Sequence, residues 1–179
     1  MRTLYLFIGL IAVLGAIAFV ARSGMLSREK PGEPANKYMR EAMDTPQTPQ
    51  LSTEESAVIA EKFNTATTRP TGLRYLIRTP GTGNATPRSG QEVTVNYEGR
   101  LLLDGKKFDS SYDKKRPFTF MTGVGRVIPG WDVMIQEMKL GEKRTVIIPW
   151  WLAYGAAGRP PVIPPKASLV FEIELLEFH

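Results

Sequence analysis

The 179-residue sequence has no cysteine and a single histidine, His179. Without thiols there are no disulfides, thiolate metal sites or cysteine nucleophiles, and one histidine leaves no basis for a His-based triad or metal site. Phosphate-binding fingerprints are missing too, because Gly123-Val124-Gly125 lacks both the third glycine and a strand–helix context. Asp109 and Asp113 flank one polar loop without the look of an acid–base pair, and Asp113 reads as a solvated loop acid. Conventional acid–base, nucleophilic and metal catalysis therefore lack parts, and no cofactor or metal is expected. Export remains open, since an oxidising compartment permits disulfides without requiring them.

What the sequence has is turn formers and an uneven charge. Gly (16) and Pro (14) are abundant, which favours a turn-rich β architecture over a helical bundle. The net charge of +5 is confined to one part: residues 1–68 hold 7 Lys/Arg and 7 Asp/Glu, residues 69–179 hold 16 against 11. No basic stripe interleaved with aromatics and no helix of clustered Lys/Arg accompanies that excess, so nucleic acid is not an expected partner.

Residues 4–21 form an uncharged apolar run that would measure about 27 Å as a helix, just enough for a bilayer core. Two readings stand side by side. A signal peptide would use residues 4–15 as its apolar core and cleave near Ala16-Ile17-Ala18. An uncleaved anchor would use the whole run. Export, with the C-terminal domain on the periplasmic or lumenal side, is the preferred expectation. The alternative is an anchor facing the cytoplasm, because Arg22, Arg28, Lys30, Lys37 and Arg40 come after the run.

Residues 22–51 read as a linker punctuated by Pro31, Pro34, Pro46 and Pro49. Residues 52–68 predict a short helical extension: Ser52-Thr53-Glu54-Glu55 suits a helix start, and the helix should pack loosely on the C-terminal domain. From 69 to 179 the texture changes to strands, predicted over 73–79, 93–103, 145–148 and 168–178, with short ones at Phe108 and over 118–121. Asp104-Gly105 predicts a hairpin turn. One helix interrupts them, with Trp131, Met134, Ile135 and Met138 on its apolar stripe and Gly141 as its C-terminal cap. An apolar helical stripe on an antiparallel sheet is the α+β class.

Aromatic and branched residues crowd the turns of this segment. Asn96-Tyr97-Glu98-Gly99, then 104–111 around Phe108-Asp109, then Pro117-Phe118-Thr119-Phe120, resemble the first half of an FKBP-type peptidyl-prolyl isomerase. Val127-Ile128-Pro129-Gly130-Trp131, Leu152-Ala153-Tyr154-Gly155, Ile163-Pro164-Pro165 and Leu169-Val170-Phe171-Glu172 continue the likeness to about residue 179.

The resemblance implies a five- to six-stranded antiparallel half-barrel wrapped around one short helix, and catalysis of X–Pro rotation in protein clients. It implies catalytic roles for Tyr97, Asp109, Ile128 and Tyr154, and a binding pocket of Phe108, Phe118, Val127, Trp131, Ile163 and Phe171. Trp131 would be the floor, Tyr154 would donate to a substrate carbonyl and the Ile128 amide would bond the peptide. Asp109 would orient Tyr97 or face the carbonyl carbon. Proline-containing polypeptides and the family's macrolide inhibitors are the implied partners, the membrane is a partner only through the N-terminal segment, and the protein is expected to be a monomer.

Three positions depart from the family's pattern. Lys114 stands where an arginine often supports the pocket aspartate, with Arg116 as an alternative support; Arg159 stands where histidine is frequent. Trp150-Trp151 is unusual before Leu152, and the expectation is one indole packed inward and one half exposed.

Overall fold

The computed structural model describes residues 49–179. The hydrophobic segment at 1–21 and all of the expected linker up to residue 48 lie outside the described residues. Among the described residues no helix is long and apolar enough to cross a membrane.

Helix α1 spans Thr53–Lys62 and begins with a capping box. Ser52 Oγ accepts the Glu55 N–H at 3.0 Å and Glu55 Oε2 accepts the Ser52 N–H at 3.2 Å, which satisfies two donors that a helix start leaves open. The loose packing expected of this helix is not what the structure shows. Glu55 is 3% exposed, and its other oxygen accepts the Ser168 N–H at 3.0 Å. Ile59, Leu102 and Ile147 form a small second core beneath it, joined by Leu51 and Phe63. Leu51, assigned from the sequence to the linker, thus belongs to the folded unit.

The sheet has seven antiparallel strands: β1 (Thr67–Thr68), β2 (Arg74–Thr79), β3 (Glu92–Leu101), β4 (Lys107–Ser110), β5 (Phe118–Met121), β6 (Lys143–Ile148) and β7 (Leu169–Phe178). Their order is β1-β2-β6-β7-β3-β4, with β5 also paired to β3. The count exceeds the expected five or six because Thr67-Thr68, within the expected helical extension, adds a two-residue edge strand. Long β3 pairs with β7 along one edge and is shared by β4 and β5 along the other. β5 takes Glu92–Val95 of that edge and β4 takes Glu98–Arg100. Alternation along β3 puts Val93, Val95, Tyr97 and Leu101 inward, and β7 does the same with Leu169, Phe171, Ile173 and Leu175. The Asp104-Gly105 turn comes after β3 as expected, with Gly105 at φ +68°.

Helix α2 spans Pro129–Ile135 and crosses the concave face. Proline at its first position costs no hydrogen bond, because that N–H would be unpaired anyway. Trp131, Met134, Ile135 and Met138 are all buried against the sheet. The expected cap at Gly141 is a correction: the helix ends at Ile135 and Gln136 closes it. Single turns from Glu137 to Met134 and from Met138 to Ile135 then carry the stripe on, so Met138 stays inward without a helical ladder. Gly141 (φ +73°) instead turns the chain into β6, donating its N–H to the Leu175 carbonyl.

Candidate functional site

A cavity of about 500 Å³ is lined by residues of β3, β4, β5, α2 and β7 and of the loops between them. Its floor is Trp131, 4% exposed, because α2 enters the concave face indole first. Tyr97, from the inward face of β3, stands edge-on to that indole with ring centroids 5.1 Å apart; Phe171 from β7 does the same at 5.2 Å. Edge-to-face contacts lock ring orientations more firmly than area burial alone. Phe108 from β4 meets Phe171 edge-on at 5.6 Å, and Phe118 of β5 forms the exposed lip.

Gly99 makes that wall possible. A Cβ there would lie 2.6 Å from the Phe171 ring and 2.7 Å from the Phe108 ring, so only glycine lets β3 pass behind both aromatics.

Asp109 lies on the polar side of the cavity. Its Oδ2 accepts the Tyr97 hydroxyl at 2.7 Å, its Oδ1 accepts the Ser110 N–H at 2.8 Å, and the Lys114 ammonium lies 2.5 Å from Oδ1. Burial pushes this carboxyl upward, but the bonds from Lys114, Tyr97 and Ser110 outweigh it and hold the group below its ordinary value. Burial first, and the Asp109 carboxylate second, push the Tyr97 phenol above its ordinary value. The bond to Asp109 chiefly raises Lys114. Lys114 thus supports the aspartate as a point charge, and its ammonium also donates to Tyr97 Oη at 3.2 Å. Arg116 lines the same cavity, and no ion pair among the described residues joins it to Asp109.

On the opposite side, Val127 and Ile128 end the loop that leaves β5. Asp132, in the first turn of α2, gathers that loop: Oδ1 accepts the Gly123 N–H and Oδ2 the Gly125 N–H, both at 2.8 Å. Gly125, at φ +74°, takes a backbone shape few side chains tolerate. The Ile128 carbonyl caps α2 through the Trp131 N–H, and among the described residues no hydrogen bond engages the Ile128 N–H. Tyr154 comes just after the 3₁₀ turn Trp150–Leu152 and reaches the cavity wall, with Arg159 over its ring at 5.9 Å.

The structure therefore brings Tyr97, Phe108, Asp109, Phe118, Val127, Ile128, Trp131, Tyr154 and Phe171 around one cavity. Ile163 is not among the residues lining that cavity. It is 2% exposed in the core behind the wall, where its backbone pairs with Arg159 in both directions and closes the 159–163 loop. The tryptophan pair is a correction. Both indoles are half-buried and donate outward, Trp150 to the Gln50 carbonyl at 3.1 Å and Trp151 to the Thr71 carbonyl at 3.0 Å. They tether the chain leading into α1 and the turn before β2.

Sequence reasoning missed Gly99 as a spacer and Asp132 as the clamp of the 123–128 loop. It also missed Ser111, whose hydroxyl accepts the Tyr97 N–H at 2.9 Å and donates to Asn96 Oδ1 at 3.0 Å. The two-glycine run seven to nine residues before an acid in a helical first turn was the available signal for Asp132.

The family model for FKBP-type peptidyl-prolyl cis-trans isomerase matches residues 83–176. The chain belongs to that family. It is 49% identical over 105 residues to FK506-binding protein 1A of Aspergillus fumigatus, covering 59% of this chain and 93% of the relative. It is 51% identical over 107 residues to mouse peptidyl-prolyl cis-trans isomerase FKBP4, covering 60% of this chain. The chain spans only 23% of that mouse protein and 33% of the Dictyostelium discoideum FK506-binding protein 4. The crystal structure of AtFKBP13 superposes with a TM-score of 0.59 at 38% identity, covering 64% of this chain and 98% of that one.

Proposed function

We propose that the cavity accelerates cis–trans rotation about X–Pro bonds of polypeptide clients and so assists their folding. The observation that carries this reading is the cavity itself: a well of about 500 Å³ with an aromatic floor at Trp131, and with Tyr154 and the Ile128 N–H at its walls.

Rotation faces a barrier of about 18–20 kcal/mol, most of it lost amide resonance. In the twisted transition state the C–N bond is nearly single and the carbonyl less polarised. An apolar well therefore penalises the planar amide, which gives up more hydration, more than the twisted one. That is preferential binding of the transition state, with no proton moved by the protein. The Ile128 N–H and the Tyr154 hydroxyl hold the peptide carbonyls on either side. Asp109 acts through Tyr97, whose hydroxyl it fixes, and keeps a localised negative charge at the polar wall.

Macrolides of the kind named in the Aspergillus relative are proposed ligands of the same well. The test is the cis–trans exchange rate of an X–Pro peptide by NMR, with the full chain added. Acceleration that such a macrolide abolishes is expected, and an unchanged exchange rate contradicts the reading.

The apolar run at 4–21 supports delivery to or across a membrane, with the domain on the exported side; anchoring towards the cytoplasm is the alternative. Mass spectrometry of the mature N-terminus separates a cleaved signal from an anchor. The domain is proposed to act as a monomer, which sedimentation velocity tests.

A further inference from the structure

Three loops each bring an unneutralised base to the same cavity. Arg116 comes from the loop before β5, Arg126 from the loop clamped by Asp132, and Arg159 from the loop after Tyr154. All three are exposed residues that line the cavity, and among the described residues no ion pair engages any of them. The cavity's one acid, Asp109, is answered by Lys114 at 2.5 Å. The wall therefore carries three uncompensated positive charges, which is most of the excess of residues 69–179.

Their placement is not that of a solvated surface far from the chemistry. Arg126 is two residues from the Ile128 N–H, and the Arg159 guanidinium stands 5.9 Å over the ring of Tyr154. The two groups read as holding the substrate backbone thus each have an arginine beside them. A cavity of 500 Å³ is about 8 Å on a side, no more than a Debye length at physiological salt. All three charges consequently act on one bound segment, and guanidinium groups offer carboxylates a paired-donor fork.

We propose that this cavity selects X–Pro bonds flanked by acidic residues, with Arg126 and Arg159 as the specificity determinants and Arg116 adding to the field. The inference rests on the isomerase reading of the same cavity. A single exposed ion pair contributes little, so the selectivity expected is about fivefold from three bases together. It acts largely on association and is salt-sensitive.

The test uses the full chain and three peptides identical but for Glu, Gln or Lys two residues before the proline. kcat/KM is measured by NMR exchange and Kd by anisotropy of a labelled peptide, at low salt and at high salt. The expected order is Glu, Gln, Lys, with Glu about fivefold over Gln at low salt and the gap closing at high salt. In the double variant Arg126→Glu/Arg159→Glu the Glu-to-Gln ratio should fall below one. Equal kcat/KM and equal Kd for the Glu and Gln peptides at low salt would overturn the inference. Glu-selective binding without turnover of any peptide would support it while overturning the isomerase reading.

Discussion

The Lys114 ammonium sits 2.5 Å from Asp109 Oδ1 while it donates to Tyr97 Oη at 3.2 Å, so one lysine closes a triangle on the polar wall of the cavity. The sign of each member's shift fixes how the triangle responds to pH. Asp109 is depressed in the folded chain, so its contribution to stability is present above the unfolded carboxylate value of about 3.9 and is lost as pH falls through the lower folded value. Asp109→Asn should therefore be less stable than wild type at neutral pH. The difference between their urea midpoints should shrink as pH is taken below about 4. A constant difference down to strong acid would mean that Lys114 does not support the aspartate.

Trp131→Ala should destabilise the domain by about 3–5 kcal/mol, because the indole is 4% exposed and touches Tyr97, Phe120 and Phe171. Urea denaturation at neutral pH measures it. A loss under about 1 kcal/mol would show that the indole is not the floor of a packed wall.

Much of this arrangement was legible in the sequence. Val93, Val95 and Tyr97 alternate with polar residues, and so give strand β3 and its inward face together. The stripe Trp131, Met134, Ile135 and Met138 identifies the face that covers the sheet, although it overstates the helix, since short turns also keep Met138 inward. What was hidden depends on partners distant in sequence. The Gly99 requirement arises only when Phe108 and Phe171 converge on it from two other strands. Glu55 is an ordinary capping acid until Ser168, from a loop 113 positions away, offers its N–H. Ile163 shows the same dependence: its motif marks the loop, while its backbone bridge to Arg159 and its burial in the core are set by the fold.

Gly99→Ala should drive Phe108 and Phe171 apart, since the new methyl would lie under 3 Å from both rings. The expected cost is about 1–3 kcal/mol, with weakened binding of a proline peptide. Both are measurable, by urea midpoint and by anisotropy. Unchanged binding in a destabilised variant would place those rings outside the binding surface.

Glu55→Ala should remove the partner of two backbone donors, Ser52 N–H and Ser168 N–H, at a cost of about 1–3 kcal/mol. Amide hydrogen exchange at Ser168 should speed up while that of β3 changes much less. Unaltered protection at Ser168 would show that α1 does not hold the 163–168 loop.

X–Pro rotation in this cavity should need no proton transfer, and the pH profile of kcat/KM on one X–Pro peptide measures whether it does. Asp109 is held below its ordinary value and Tyr97 above its own, so one stays ionised and the other protonated across the neutral range. The profile should be flat from about pH 5.5 to 8.5 rather than bell-shaped. Asp109→Asn should lower it by a modest factor and leave it flat. A steep change near pH 6–7 in wild type that disappears in Asp109→Asn would contradict the account, because Asp109 would then be exchanging a proton during turnover.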